Sequence, residues 1–318
     1  MLKDNDNSRA AVSNSASSSL PFTMDNNTES RKRPASDLND KDENSNKRPY
    51  IPERRETTIF GVRPVDDIVQ YVADFIAAHC DQENVEIEGK LGLLIDKQTR
   101  RRINMNALTE TVIGSGLENR IRFESNMPLA QHKHFNEMLN ALVTKSNARG
   151  YRGERIHYKH TYETDRFYHP NNNTRTKWRV TTNQQTGQLV ENGIIEKIRI
   201  ADLNIHAPTQ PLDYRISINL EIPRPKPTGQ PVFERNKDRV SYKQGGIHFD
   251  LTQVKGAADK DPDVRHELEL EIMDPAQLAR ERSKMARGDP SHYMDTIESF
   301  VNNIRILSRK ALKIPHNA

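Results

Sequence analysis

Cysteine, tryptophan and long apolar runs are nearly missing from this sequence. A single cysteine, Cys80, stands among 318 residues, which excludes a disulfide framework and predicts a small core residue. No apolar run approaches the ~18 residues of a membrane span, and no hydrophobic signal peptide follows Met1. We therefore expect a protein without membrane association that works inside the cell.

Charge is abundant and nearly balanced. The 48 Lys and Arg residues face 44 Asp and Glu residues, which leaves a formal net charge of +4. A pI of about 9.0 favours an anionic partner. The sum does not distinguish nucleic acid, nucleotide and membrane as that partner, so the distribution of charge along the chain matters more.

The first 55 residues differ in composition from the rest of the chain. They are rich in Ser, Asn and Asp and contain two aromatic residues. Such a segment buries too little apolar area to offset its ordering entropy, so we predict a disordered tail over 1–55 and a folded domain over 56–318. The basic clusters RKRP (31–34) and KRPYIPERR (47–55) predict a nuclear localisation signal.

Beyond the tail, apolar periodicity predicts both helices and strands. Pro64 is expected at the first helical position, and Asp-Pro pairs at 274–275 and 289–290 predict capped helix starts. The helices are predicted at 64–80, 128–145, 274–288 and 289–312. The strands are predicted at 84–95, 109–113, 119–125, 152–168, 174–183, 191–202, 212–223, 231–243, 246–255 and 264–273. Many antiparallel strands with few helices predict an α+β barrel or sandwich.

Several strands place charge of one sign on one face. VEIEGK (85–90) alternates Glu86 and Glu88 with apolar residues, and HELELEI (266–272) carries three alternating glutamates. The alternating bases of other strands are Arg179, Lys197, Arg199, Arg235, Lys237 and Arg239. A sheet with one apolar face and one solvated face has the same alternation. However, like charges along one face repel unless an opposite charge lies among them.

Carboxylates that converge from two strands would form an oxygen-only site. That ligand set suits a hard divalent cation, Mg²⁺ or Mn²⁺, rather than zinc. Bases on the facing strands would hold a polyanion. A cation together with Arg and Lys around an anion is the machinery of phosphoryl transfer. If these residues lie inside a closed barrel, the sheet is inverted, charged inside and apolar outside, and the predicted helices could cover the apolar exterior.

Seven short motifs occur in order along the chain. They are E-x-E-x-K (86–90), WRV (178–180), EK (196–197), ISINLE (216–221), R-x-K-x-R (235–239), D-x-T (250–252) and E-x-E-x-E (267–271). Together they resemble the fungal-type RNA 5′-triphosphatases, the β subunit of the mRNA-capping enzyme within the triphosphate tunnel metalloenzymes. The resemblance implies a homodimer whose subunits each contain an eight-stranded antiparallel β-barrel. It also implies removal of the γ-phosphate from 5′-triphosphate RNA, the first step of mRNA capping.

The resemblance implies that the glutamates serve a metal ion. Glu86, Glu88 and Glu271 look like the ligands of Mg²⁺ or Mn²⁺. Glu267 and Glu269 look like the residues that fix the water shell of the metal and the neighbouring bases. Three like charges in one row would then be tolerated, because a divalent ion and several bases lie among them.

The remaining polar residues are implied to contact the substrate. Arg179, Lys237 and Arg239 look like the grip on the γ-phosphate. Glu221 looks like the base or orienter of the attacking water, and Asp250 like its supporting partner. Further substrate contacts are implied for Lys90, Lys197, Arg235, Arg215, Thr252 and His248.

Two positions depart from the family pattern, and one feature of some relatives is missing. His248 stands where Arg is expected, which predicts a weaker contact and a pH dependence near neutrality; Arg215 stands where Lys is usual. The single tryptophan, Trp178, does not lie in a peptide ahead of the domain, through which some relatives dock the guanylyltransferase. The expected partners are 5′-triphosphate RNA and, as candidates, the mRNA guanylyltransferase or the transcription machinery.

Two other functions share much of this pattern. A tunnel-type phosphohydrolase of nucleoside triphosphates, inorganic polyphosphate or thiamine triphosphate would use the same chemistry. A non-catalytic RNA-binding β-barrel scaffold would bind RNA with steep salt dependence and without hydrolysis. The paired glutamate rows argue against the scaffold, since carboxylates repel phosphates unless a cation intervenes.

Overall fold

We describe a computed structural model of the chain that covers residues 58–170, 175–256 and 264–314. The chain divides at Thr57–Thr58 into two units, and every described residue belongs to the second unit. The predicted tail over 1–55, with its two basic clusters, lies outside the described residues.

The strands follow the alternating segments of the sequence. They are β1 (Val85–Asp96), β2 (Thr111–Val112), β3 (Ile121–Glu124), β4 (His157–Tyr168), β5 (Trp178–Asn183), β6 (Leu189–His206), β7 (Asp213–Pro223), β8 (Phe233–Gln244), β9 (Ile247–Gly256) and β10 (Arg265–Ile272). Each of the ten predicted strands is present in the described chain. Strand β4 begins later than its prediction from 152, and β6 is longer at both ends than its prediction over 191–202.

Eight of these strands close into a barrel. The order is β10-β9-β8-β4-β5-β6-β7-β1, and β1 pairs again with β10 to complete the ring. Every pairing is antiparallel, and the closing pair sets Glu88 opposite Glu271. Strand β2 pairs with β6, and β3 pairs with the end of β1, so both lie outside the ring. The predicted eight-stranded antiparallel β-barrel is therefore confirmed.

Four helices pack on the outside of the described barrel: α1 (Asp67–Ala77), α2 (Leu129–Ser146), α3 (Pro275–Ala286) and α4 (Tyr293–Lys310). The core lies between these helices and the outer face of the sheet, where Ile87, Leu91 and Leu268 are fully buried. The lack of a side chain at Gly89 lets α4 approach β1 closely, because a Cβ there would lie 2.5 Å from Ile304 Cδ1. Cys80 is also buried in this core, as its apolar surroundings predicted. No helix of the described chain has the length and apolarity needed to cross a membrane.

Two predicted helix starts were wrong. Pro64 does not open α1; the helix begins at Asp67 because the Asp66 carboxylate accepts hydrogen bonds from the following backbone amides. The Asp289-Pro290 pair does not cap α4, which begins at Tyr293. Asp289 pairs instead with Arg287, at 3.0 Å. The cap predicted at Asp274 is confirmed, since its carboxylate accepts from the Gln277 amide at 2.7 Å.

Helix α4 supports the strand that carries the first two inward glutamates. We expect Phe300→Ala to lower the free energy of unfolding by about 3–5 kcal/mol, because Phe300 is fully buried and its removal leaves a cavity under β1. Chemical denaturation followed by circular dichroism measures the change. On the same helix Ile306 is 49% exposed, so Ile306→Ala should change stability by less than about 1 kcal/mol. Equal losses in the two variants would contradict this packing.

Candidate active site

The alternation of each strand turns its polar side chains into the barrel. On β1 the even positions Glu86, Glu88 and Lys90 line the interior, while Ile87 and Leu91 lie in the outer core. The interior is a cavity of about 470 Å³. Nine carboxylates and seven bases line it, so the barrel is inverted relative to an ordinary one.

Fourteen of the sixteen residues predicted from the sequence line this cavity. They are Glu86, Glu88, Lys90, Arg179, Lys197, Glu221, Arg235, Lys237, Arg239, Asp250, Thr252, Glu267, Glu269 and Glu271. They come from seven of the eight strands of the ring, all except β4.

Arg215 and His248 are the two predicted residues that do not line the cavity. The Arg215 Nε donates to Asn204 Oδ1 at 2.8 Å, and the guanidinium also pairs with Asp202 and lies 4.9 Å from the Phe123 ring centroid. His248 lies opposite Glu271 in the β9–β10 pairing. Burial, together with nearby bases, lowers the pKa of His248, so the imidazole is neutral near pH 7.

A group of carboxylates crowds one side of the interior. Glu88 and Glu271 are direct partners across the closing pair, and Glu86 is two residues from Glu88 on β1. Burial raises the pKa of Glu271 to about 8, and the neighbouring Glu86 and Asp250 add to the effect. Burial likewise raises the pKa of Glu86. These carboxylates need more positive charge than the surrounding side chains supply.

The oxygen-only donor set of this group fits a hard divalent cation. In the described residues no set of three His, Cys, Asp or Glu side chains has the arrangement of a metal site. The Lys197 ammonium contacts both Glu86 and Glu88 in this arrangement, so a lysine provides the local positive charge. Glu86, Glu88 and Glu271 nevertheless supply only oxygen donors, which are the donors that a hard divalent cation takes.

The other two glutamates of β10 have side-chain partners, a lysine for Glu269 and a hydroxyl for Glu267. Glu269 Oε1 lies 2.6 Å from the Lys90 Nζ, which also lies 3.4 Å from Glu88. Burial acts to raise the pKa of Glu269, but Lys90 and Arg239 outweigh it and lower that pKa to about 2. Glu267 accepts a hydrogen bond from the Ser125 hydroxyl at 2.8 Å. Neighbouring carboxylates on one strand thus have opposite pKa shifts.

The bases on the facing strands are each held by a carboxylate. Arg239 pairs with Asp250 at 2.9 Å and donates from Nε to the Thr252 hydroxyl at 3.2 Å. Arg179 donates to Glu221 at 3.1 Å. These contacts orient the guanidinium groups toward the cavity and leave donors for an anion.

Asp165 organises a second set of bases, and the sequence did not single it out. Its carboxylate is fully buried and accepts from Lys237 at 3.2 Å, from Arg235 at 2.9 Å and from the Thr181 hydroxyl at 2.7 Å. Burial acts to raise the pKa of Asp165, but Lys237, Arg179 and Arg235 outweigh it and lower that pKa to about 2.

Two further inward residues were missed as site residues. Glu163 lies 3.0 Å from Lys237, and Arg199 lies 3.4 Å from Glu88 and 2.5 Å from the Ser217 hydroxyl. The period-two spacing of Glu163 and Asp165 in β4 was the available signal. It was obscured because the bases of the same strand alternate less regularly.

We expect Asp165→Asn to lower the free energy of unfolding by about 3 kcal/mol at pH 7, because Lys237 and Arg235 lose a buried partner. The native pKa is depressed, so the stabilisation is present above the unfolded value of ~3.9 and is lost as pH falls toward 2. The measurement is chemical denaturation at a series of pH values from 7 to 2. The difference in the free energy of unfolding between wild type and Asp165→Asn should narrow below about pH 4.

Asp238→Asn is the matched control for this prediction. Asp238 lies on the outer face of β8, 41% exposed, beside His160. Its replacement should change stability by less than about 1 kcal/mol. A loss at Asp165 no larger than the loss at Asp238 would contradict the role of the buried carboxylate.

Comparison with known proteins identifies the family. The family model "mRNA capping enzyme, beta chain" matches residues 62–313. The mRNA-capping enzyme subunit beta of Schizosaccharomyces pombe is 36% identical over 252 residues, which cover 77% of this chain and 82% of that protein. The solved S. pombe Pct1 RNA triphosphatase has a TM-score of 0.75 and 35% identity, over 82% of this chain and all of that one. Its complex with the Spt5 CTD gives the same TM-score at 34% identity, over 81% of this chain and all of that one. The chain belongs to the family of the mRNA capping enzyme beta chain.

Proposed function

We propose that this chain removes the γ-phosphate of 5′-triphosphate RNA as the first step of mRNA capping, and that the reaction requires a divalent cation. One observation carries the proposal: a closed barrel of this family encloses carboxylates and bases around a cavity of about 470 Å³. A cavity with that lining suits a polyanion together with a cation. The product would be a diphosphate-ended RNA.

The bases hold the triphosphate in this proposal. Arg179, Lys237 and Arg239 grip the γ-phosphate, and their carboxylate partners keep them oriented before the substrate arrives. Such preorganised charge costs no rearrangement when negative charge develops on the leaving oxygen. The supporting bases are Lys90, Lys197 and Arg235, and Thr252 holds the Arg239 guanidinium.

Glu221 orients the attacking water and accepts its proton. Its carboxylate is about one-third exposed to the cavity, and Arg179 and Lys197 lie 3.1 and 3.9 Å away. The bond from the water oxygen to the γ-phosphorus forms as the bond to the bridging oxygen breaks, so no covalent enzyme intermediate is needed. Asp250 supports this arrangement through Arg239.

Glu86, Glu88 and Glu271 are the residues we propose as the ligands of Mg²⁺ or Mn²⁺. When bound, that cation neutralises phosphate charge and polarises the reacting oxygens. Glu269 keeps Lys90 in place, and Glu267 is held by Ser125, so both stabilise the surroundings of the ligands. His248 and Arg215 lie beyond the cavity lining, and we propose for them an indirect contribution to substrate binding.

The proposal also covers the domains, cellular location and partners of the enzyme. Our proposal places the catalytic domain at 56–318 and a disordered, basic and polar tail at 1–55. The family supports RNA as substrate and a nuclear role in capping. The similar S. pombe Pct1 RNA triphosphatase forms a complex with the Spt5 CTD, which favours the transcription machinery as a partner of this chain. Assembly as a homodimer and direct binding of the guanylyltransferase stay predictions.

We expect Glu86→Gln and Glu271→Gln each to lower divalent-dependent phosphate release from 5′-triphosphate RNA by more than about 100-fold. A lost ligand should cost more than the 10- to 100-fold typical of a supporting residue. The measurement is phosphate release with and without Mn²⁺, together with calorimetric Mn²⁺ titration of each variant.

The exposed Glu298→Gln on α4 is the control, and it should behave as wild type. Circular dichroism should show that all three variants are folded. Wild-type turnover or wild-type Mn²⁺ affinity in the Glu86 variant would overturn the assignment of the metal ligands.

A competition assay distinguishes RNA from smaller phosphate substrates. We expect ATP at equal concentration to leave most phosphate release from 5′-triphosphate RNA intact at physiological Mg²⁺. RNA has further backbone phosphates, which ATP lacks and which lysine and arginine side chains attract. Preferential hydrolysis of ATP or polyphosphate would favour the general tunnel phosphohydrolase. Salt-sensitive binding without any hydrolysis would favour the RNA-binding scaffold.

A further inference from the structure

Two phenylalanines face each other at one rim of the barrel. Phe167 near the end of β4 and Phe233 at the start of β8 are direct partners in the antiparallel pairing. Their ring centroids lie 5.7 Å apart, with an angle of 34° between the ring planes. Neither residue has a role in the proposed chemistry. We call this pair the aromatic rim.

The aromatic rim continues the inner face of the barrel. Phe167 is two residues from Asp165, and Phe233 is two residues from Arg235, so strand alternation puts all four on one face. Asp165 and Arg235 pair with each other beside the cavity. The aromatic rim therefore lies where the charged interior opens toward solvent.

The exposure of the rim is unusual for a pair of phenylalanines. Phe233 is 49% exposed although its partner ring is within contact distance. A pair that served strand packing alone would gain more by burying both rings against an apolar layer. The exposed ring surface is available for another planar group.

Cations lie beside the same rings. The Arg235 guanidinium carbon is 5.2 Å from the Phe167 ring centroid, and the Lys177 ammonium is 5.9 Å from it. Arg235 thus contacts both the aromatic rim and Asp165. Aromatic rings interleaved with Lys and Arg side chains are the usual platform for single-stranded nucleic acid. The rings stack on nucleobases, and the cations attract phosphates.

The spacing between the rim and the phosphate grip matches a nucleotide. Phe233 precedes Lys237 by four residues on β8, about 13 Å at the rise of a strand. In a nucleoside triphosphate the base lies beyond the phosphates and the ribose. A terminal phosphate at Lys237 and Arg239 would therefore place the first base of the chain near the rim.

We propose that Phe167 and Phe233 form a stacking platform for the first nucleobase of 5′-triphosphate RNA, and that the RNA chain leaves the tunnel at this rim. The inference rests on the proposed function. Stacking requires only a π face, so the platform accepts any of the four bases. It would separate nucleotide-bearing substrates from bare inorganic polyphosphate.

The test compares two substrates of the same tunnel: 5′-triphosphate RNA and inorganic tripolyphosphate, which has no base. We expect Phe233→Leu to lower kcat/KM for RNA relative to tripolyphosphate by about 10-fold, mainly through KM, the size of one lost stacking contact. Phe233→Trp should restore the ratio because it returns an aromatic face. Ile306→Ala is the control, because Ile306 on α4 is as exposed as Phe233; this variant should leave the ratio unchanged.

The outcomes separate this inference from the proposed function. Wild-type protein that releases no phosphate from 5′-triphosphate RNA would contradict the function itself. With an active wild type, equal losses on both substrates in Phe233→Leu would show that the ring only holds the strands together. An unchanged ratio, or failure of Phe233→Trp to restore it, would also overturn the stacking platform.

Discussion

Closure of the sheet between β1 and β10 is the constraint on which the rest of the structure depends. It sets Glu88 opposite Glu271 and encloses the inward faces of eight strands. Once enclosed, carboxylates two residues apart on one strand behave differently: burial raises the pKa of Glu271, whereas Lys90 and Arg239 lower that of Glu269. The same glutamates on an open, solvated sheet would be screened and nearly equivalent.

The charged interior moves the hydrophobic core to the outside of the barrel. Apolar residues that alternate with the inward charges must be covered, and the four described helices cover them. Ile87 and Gly89 show the coupling, since both lie between the inward residues of β1 and helix α4. Packing on the outer face thus holds the strand that positions Glu86 and Glu88.

On strands β4, β8 and β9, carboxylates and bases pair with each other before any substrate binds. Asp165 gathers Lys237 and Arg235, and Asp250 holds Arg239. A network of this kind keeps the donors in place for an anion, because an unpaired buried charge would cost several kcal/mol. The lowered pKa of Asp165 keeps this carboxylate ionised, so Lys237 and Arg235 keep a charged partner that orients them.

Period-two alternation was enough to predict the ten strands and which polar residues share a face, because it depends only on neighbours along one strand. The closed eight-stranded barrel was implied by the family resemblance, since alternation alone also fits a sandwich. The helix starts at Asp67 and Tyr293 were missed, since they depend on which oxygens reach the free amides: the Asp66 carboxylate at α1 and the Ser291 hydroxyl at α4. Asp165, Glu163 and the Phe167–Phe233 rim gained meaning only from cross-strand register. The sequence by itself determined which residues share a face. Only the tertiary structure decided which faces meet, because ring closure joins strands whose distance along the chain no local pattern records.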